Sequence, residues 1–249
     1  MYNPFSLEGK TILVTGASSG IGQATAIESS RLGANVIITG RNEVRLNHTF
    51  SCLERSGDQN HSMVIADLTE NSDLEVLEDR IGIIDGLVNN AGVNRIKPAM
   101  FVRNEDLDYI FKNNAFAGVN LTRLLVKKKK ISKGGAIVFT SSVSAFYNAP
   151  GRLLYSGSKA ALTSFMRSFA IELADKHIRV NAVHPGMVET NMTAEHISED
   201  ELNRNLSEYP LKRYGKPEEI AWAIIYLLSD AASWVTGSSL VIDGGFMLK

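Results

Sequence analysis

Tyr155 and Lys159 stand four residues apart in YSGSK, at the start of a stretch with helical periodicity that runs to about Lys176. That spacing sets both side chains on one helical face, a turn apart. A free phenol ionises near pH ~10 and is a poor base at neutrality, but a neighbouring ammonium group favours the phenolate. The pair could then exchange a proton with an alcohol or carbonyl oxygen. Thirteen residues upstream, Ser142 closes the apolar run AIVFTSS, where its hydroxyl could donate to the same oxygen. Ser156 and Lys159 also satisfy S-x-x-K, a β-lactamase-type signature, but the S-D-N and K-T-G elements that accompany it are absent.

A second candidate site is TGASSGIG, Thr15 to Gly22. Gly16 to Gly20 matches the G-x-S-x-G elbow of serine hydrolases, with Ser18 as nucleophile. The same octet reads as a glycine-rich turn between a strand and a helix, which holds phosphate on helix N-terminal amides. Position favours the second reading, because the octet follows the first strand and the best-placed downstream histidine, His184, has no evident acid partner. Gly16, Ser18, Ser19, Gly20, Ile21 and Gly22 are therefore candidate ligands of a dinucleotide pyrophosphate.

Short apolar runs recur along the chain at 11–16, 35–40, 63–67, 86–90, 136–142, 178–186 and 238–245, separated by longer helical patterns. Runs apolar on both faces and alternating with helices predict a doubly wound α/β fold: a seven-stranded parallel sheet with helices on both faces. No linker or repeat interrupts the series, so residues 1–249 form a single domain. The stretch Met187 to Pro210 is long, polar and only weakly periodic, which suits a lid or substrate loop.

Bulk properties narrow the partners. A net charge of −1 gives no attraction to nucleic acid or an anionic membrane. The longest apolar run, Ala221 to Leu228, is too short to cross a bilayer, and MYNPFSLEGK lacks the charged and apolar regions of an export signal. Cys52 stands alone, and the five histidines show no metal-ligand spacing. The expectation is a cytoplasmic globular protein without a metal.

TGASSGIG, Asn89-Asn90-Ala91-Gly92, Ser142 with Tyr155-x-x-x-Lys159, Pro185-Gly186 and the ending Val241-Ile-Asp-Gly-Gly245 together resemble the short-chain dehydrogenase/reductase family, in the family's order, from about Lys10 to Gly245. The resemblance implies a Rossmann-type fold, a nicotinamide cofactor, and interconversion of a carbonyl and a secondary alcohol. It gives Tyr155 the acid/base role, Lys159 the ribose hydroxyls and the tyrosine pKa, and Ser142 the substrate oxygen. It also implies an asparagine in a water-mediated proton path. In FKNNAFAGVNLTRLL the threonine eight residues on, Thr122, selects Asn114, although Ala117 then stands where the family carries glycine.

By the same resemblance Asp67 and Leu68 contact adenine, Asn90, Ala91 and Gly92 flank the ribose, and Pro185, Gly186, Val188 and Thr190 border the nicotinamide. An NAD site carries an acid after the second strand; here Gly40 and Arg41 stand there, which favours NADP, with NAD as the alternative. Val143, Phe146, Tyr147, Met187 and Met192 are expected to line an apolar substrate pocket. The branch resembles 3-oxoacyl-acyl-carrier-protein reductases, with Lys133, Lys176 and the Lys127–Lys130 run as candidate contacts to an acidic acyl carrier protein. A small-molecule carbonyl or alcohol is the main substrate reading. A non-catalytic sensor or scaffold is the contrasting one, opposed by the presence of both Tyr155 and Lys159. The family's usual assembly, a homotetramer, is expected.

Overall fold

The computed structural model describes residues 2–190 and 206–248. Seven strands form one parallel sheet: β1 (Thr11–Thr15), β2 (Asn35–Gly40), β3 (Ser62–Ile65), β4 (Ile84–Asn89), β5 (Ile131–Thr140), β6 (Arg179–Pro185) and β7 (Ser239–Ile242), in the order β3-β2-β1-β4-β5-β6-β7. Every predicted run is a strand, and β5 begins five residues earlier than its apolar core, with a register irregularity against β4.

Alternation along each strand builds two cores. Leu13, Ile37, Leu87, Ile137 and Val180 face one side, where they pack on α3 (Asn71–Arg80), α5 (Ala117–Lys127) and α6 (Leu153–Glu172). Ile12, Val36, Ile38, Val88 and Val138 face the other, against α1 (Gly20–Arg31), α2 (Glu43–Ser51) and α7 (Pro217–Leu228). Both faces are thus buried under helices, and the strand composition follows from that. No described helix is long and apolar enough to cross a membrane.

The helix read through FKNNAFAGVNLTRLL is interrupted. Between α4 (Asn104–Phe111) and α5 the backbone makes a π-helical turn, Lys112–Phe116. The wider turn buries Asn114, which is 2% exposed. Helix α6 starts at Leu153 and stops at Glu172, short of the expected Lys176, where a 3-10 turn takes over. Of the expected lid, 187–190 and 206–210 are described; Met192 lies outside the described residues.

Strand order reverses between β1 and β4, so the loops after these strands diverge and leave a crevice above their C-terminal ends. That is where the candidate residues must meet.

Candidate active site

A crevice of about 860 Å³ opens above the carboxyl edge of the sheet. Its walls come from the chain just beyond each strand: Gly16 to Ile21 except Ala17 after β1, Arg41 after β2, Asp67 and Leu68 after β3, Asn90 to Gly92 after β4, Ser142 after β5, and Gly186 to Val188 with Thr190 after β6. Tyr155 and Lys159 enter from α6. The two motifs separated by well over a hundred residues therefore share one cavity.

The phosphate reading of the glycine loop holds. Gly16 sits at φ 63°, and a Cβ there would lie 2.8 Å from the Cα of Ala91, so the loop can approach the β4 loop only as glycine. Beyond it, Ser18 to Ile21 present the N-terminus of α1 to the crevice, and the Ser19 side chain makes no capping bond. Free helix-start amides are an anion site. Gly22 lies buried behind the loop and does not line the crevice. The elbow reading fails on distance, since β1 and β6 are three strand spacings apart, roughly 14 Å. His184, at the end of β6, instead donates from Nδ1 to the Ser142 carbonyl at 3.0 Å and packs on Phe146, centroids 4.6 Å apart.

Thr15 ties the two loops together. Its hydroxyl donates to the Val88 carbonyl (3.1 Å) and accepts from the N–H groups of Asn90 (2.9 Å) and Ala91 (3.1 Å). The Asn90 side chain returns a bond to the Thr15 carbonyl at 3.2 Å.

At the other end, Ser142 Oγ accepts from the Ser144 N–H at 3.1 Å, which leaves its own proton for the crevice. Lys159 is 4% exposed and donates from Nζ to the Thr140 carbonyl at 2.8 Å; Nζ lies 5.7 Å from the centre of the Tyr155 ring. Burial pushes the Lys159 ammonium down to about 8. Burial pushes the Tyr155 phenol above its ordinary value, opposed by hydrogen bonding from Ser142 and by the charge of Arg152. The groups that pull the phenol down are Ser142 and Arg152, and burial outweighs them, so Tyr155 rests protonated, as an acid.

Asn114 does not line the crevice. Its Oδ1 accepts from the Val93 N–H (2.7 Å), and its Nδ2 donates to the Val93 carbonyl (2.9 Å) and Ser158 Oγ (3.1 Å). It fixes the loop after β4 at Val93, which does line the crevice. A Cβ on Gly92 would lie 3.3 Å from Asn114 Oδ1 and 3.6 Å from Lys159 Nζ, so Gly92 sits between them.

Two other expectations change. Phe146 is 44% exposed and lines no part of the crevice, because its ring is spent on His184. Val143, Tyr147 and Met187 do line it. The lysine contacts to an acyl carrier fail within one chain: Lys133 begins β5 and Lys176 precedes β6, at the sheet edge opposite the crevice. Lys128 and Lys130 instead pair with Glu78 at 3.5 and 3.3 Å.

Sequence reading missed several wall residues. Arg152 stands three before Tyr155 and Arg45 four beyond Arg41, both readable as same-face spacings. Tyr209 and Phe246 carry no such signal. Asp243 accepts from the N–H groups of Gly245 (2.9 Å) and Met247 (2.8 Å), and the resulting turn brings Phe246 against Tyr147 and Tyr209, centroids 5.1 Å from each.

Comparison with known proteins agrees with this geometry. A family model described as Enoyl-(Acyl carrier protein) reductase matches residues 16–247. The chain is 39% identical over 245 residues to a 3-oxoacyl-[acyl-carrier-protein] reductase of Thermotoga maritima, covering 97% of this chain and 99% of that one. Among solved structures it superposes with a TM-score of 0.90 on a 7α-hydroxysteroid dehydrogenase complexed with NADH (32% identity, 98% of both chains). The same score relates it to an Agrobacterium tumefaciens protein provisionally described as a 2-deoxy-D-gluconate 3-dehydrogenase, with bound NADP (33% identity, 100% of both chains). The chain belongs to the short-chain dehydrogenase/reductase family. It is an NAD(P)-dependent oxidoreductase that interconverts a carbonyl and an alcohol.

A pH dependence follows from Lys159. Its charged form prevails below about 8 and is lost above it. If the ammonium holds the cofactor, affinity measured by NADPH fluorescence is constant from about pH 6 to 7 and falls as the pH passes through about 8. Lys159→Met abolishes that limb; a wild-type profile flat to about pH 9 removes Lys159 from cofactor binding.

Proposed function

We propose that this chain is an NADP(H)-preferring carbonyl reductase and alcohol dehydrogenase in which Tyr155 carries the proton. The observation behind this reading is the meeting of Ser142, Tyr155 and Lys159 in one crevice whose far end is a helix N-terminus. The loops after β1, β4 and β6 hold the cofactor, which supplies or accepts hydride. Ser142 and Tyr155 donate to the substrate oxygen. As charge develops on that oxygen in reduction, the Tyr155 proton moves to it, leaving a phenolate stabilised by Ser142, Arg152 and Lys159. Alcohol oxidation runs the same transfer backwards. Asn114 positions the loop at Val93 and, through Gly92, the surroundings of Lys159. The expected test is cofactor consumption over ketones, sugars, steroids and acyl thioesters, with Tyr155→Phe about a hundredfold or more less active on any substrate found. NADPH binding without turnover across the panel would return the non-catalytic reading.

Arg41 and Arg45 support the NADP preference. Both line the crevice beside Gly40, where an NAD site carries an acid. Asp67 approaches Arg41 at 3.5 Å; burial raises its carboxyl, but hydrogen bonds from Thr69 and the Arg41 charge hold it below the usual value. A 2′-phosphate would meet two guanidinium groups. In the Arg41→Ala, Arg45→Ala double variant, the preference for NADPH over NADH in binding falls about 10- to 100-fold. Unchanged NADPH affinity would end the proposal.

A second substrate reading, a 3-oxoacyl group on a carrier protein, is supported by the name of the Thermotoga relative. Turnover of an acetoacetyl-carrier protein separates it from free carbonyls. A homotetramer is supported by apolar side chains exposed on the helices around the site, Phe116, Leu153 and Ile171, and near the last strand, Trp234, Val241 and Leu248. Sedimentation equilibrium giving four times the 27.2 kDa chain mass is the expected result, and a monomer would refute it.

A further inference from the structure

Resting on that proposed function, we infer that the substrate carries an anionic group, a carboxylate a few bonds from the reacting carbonyl, bound by Arg152 with Asn94. Arg152 caps the start of α6, one turn before Tyr155, and lines the crevice. It shares the crevice with Tyr155, and its charge acts on that phenol. It makes no salt bridge with any described residue. The neighbouring cations behave differently: Arg95 reaches Asp106 at 2.5 Å, Lys97 bonds the same carboxylate, and neither lines the crevice.

Asn94 is a second, independent observation. It lines the same wall, and its Oδ1 is buried without a hydrogen-bond partner. A buried acceptor left unpaired is costly, and turning the amide about its terminal bond puts Nδ2, a donor that a carboxylate can satisfy, in that position. The Lys97 N–H donates to the Gly151 carbonyl at 3.0 Å, so the segments carrying Asn94 and Arg152 lie side by side. Together they offer a planar guanidinium fork and an amide, a set that matches the two oxygens of a carboxylate. A phosphate dianion would call for more positive charge than one arginine supplies. Glu208 also borders the crevice, and its charge acts on Tyr209 and Tyr214. Tyr147, Met187 and Phe246 give the rest of the pocket an apolar lining for a short carbon chain.

The opposing account is that Arg152 only tunes the phenol. An effect on Tyr155 is common to every substrate, whereas carboxylate binding is not, so the ratio of kcat/KM for an oxo acid to that for its methyl ester separates the two. Pyruvate, acetoacetate and levulinate, whose carboxylates lie progressively further from the ketone, are compared with their esters using the full chain and NADPH. At least one acid is preferred over its ester, and Arg152→Gln lowers that ratio about 10- to 100-fold, chiefly through KM, with partial recovery in Arg152→Lys. Competitive inhibition by butyrate and not by butyramide gives the same answer on the wild type, should the variant fail to fold. Esters and acids turned over alike in wild type and Arg152→Gln would overturn the inference and leave the oxidoreductase reading intact. If no acid, ester or other carbonyl is turned over, the parent reading fails and takes this one with it.

Discussion

Thr15 is buried where the sheet's order reverses, and its hydroxyl joins the two diverging loops through Val88, Asn90 and Ala91, with the Asn90 side chain bonding back to the Thr15 carbonyl. Strands β1 and β4 are parallel neighbours, and backbone ladder bonds end with the strands. Beyond that edge nothing regular holds the two loops in register, and a buried hydroxyl bonded on both its donor and acceptor sides does so instead. The glycine loop lies against Ala91 because Gly16 has no Cβ and Thr15, beside it, bonds the backbone of the loop after β4. The anion site at the start of α1 and the loop that Asn114 anchors at Val93 are thereby set against each other, and the crevice between them has a defined width.

Burial then decides the chemistry. Removing a phenol and an ammonium from water disfavours the charged form of each, so Tyr155 rises while Lys159 falls. The two shifts move the phenol and the ammonium apart in pKa, the phenol upward and the ammonium down to about 8, and no ion pair forms between them. Ser142 and Arg152 act in the opposite sense on the phenol, and so supply the stabilisation that its anion needs once the proton has left. The sheet provides this arrangement through position alone: Ser142 follows β5 by two residues, Lys159 reaches the last carbonyl of that strand, and Tyr155 meets both from the helix that follows.

Much of this was legible in the residues. Alternating and continuous apolar runs identified every strand, because a parallel sheet buried on both faces leaves little room for other composition. The glycine loop, Ser142, Tyr155 and Lys159 were readable since their spacing is local and their residue types are unusual. What escaped was decided by tertiary packing. Phe146 has the composition of a pocket residue, but its ring goes to His184. Lys133 and Lys176 have plausible charge, yet strand direction places them at the wrong edge of the sheet. The π turn at Asn114 depends on what the helix buries, and Phe246 reaches the crevice by a turn that only the position of β7 explains.

That last turn has a consequence for how such a site changes over time. Asp243 folds the segment after β7 back so that Phe246 forms a wall beside the pocket, packed on Tyr147 and Tyr209. A segment that lies outside the sheet and its covering helices can exchange residues without disturbing either. The part of the molecule most tolerant of variation therefore borders the substrate, while the proton donor sits on a buried helix, and selectivity can drift under a conserved reaction.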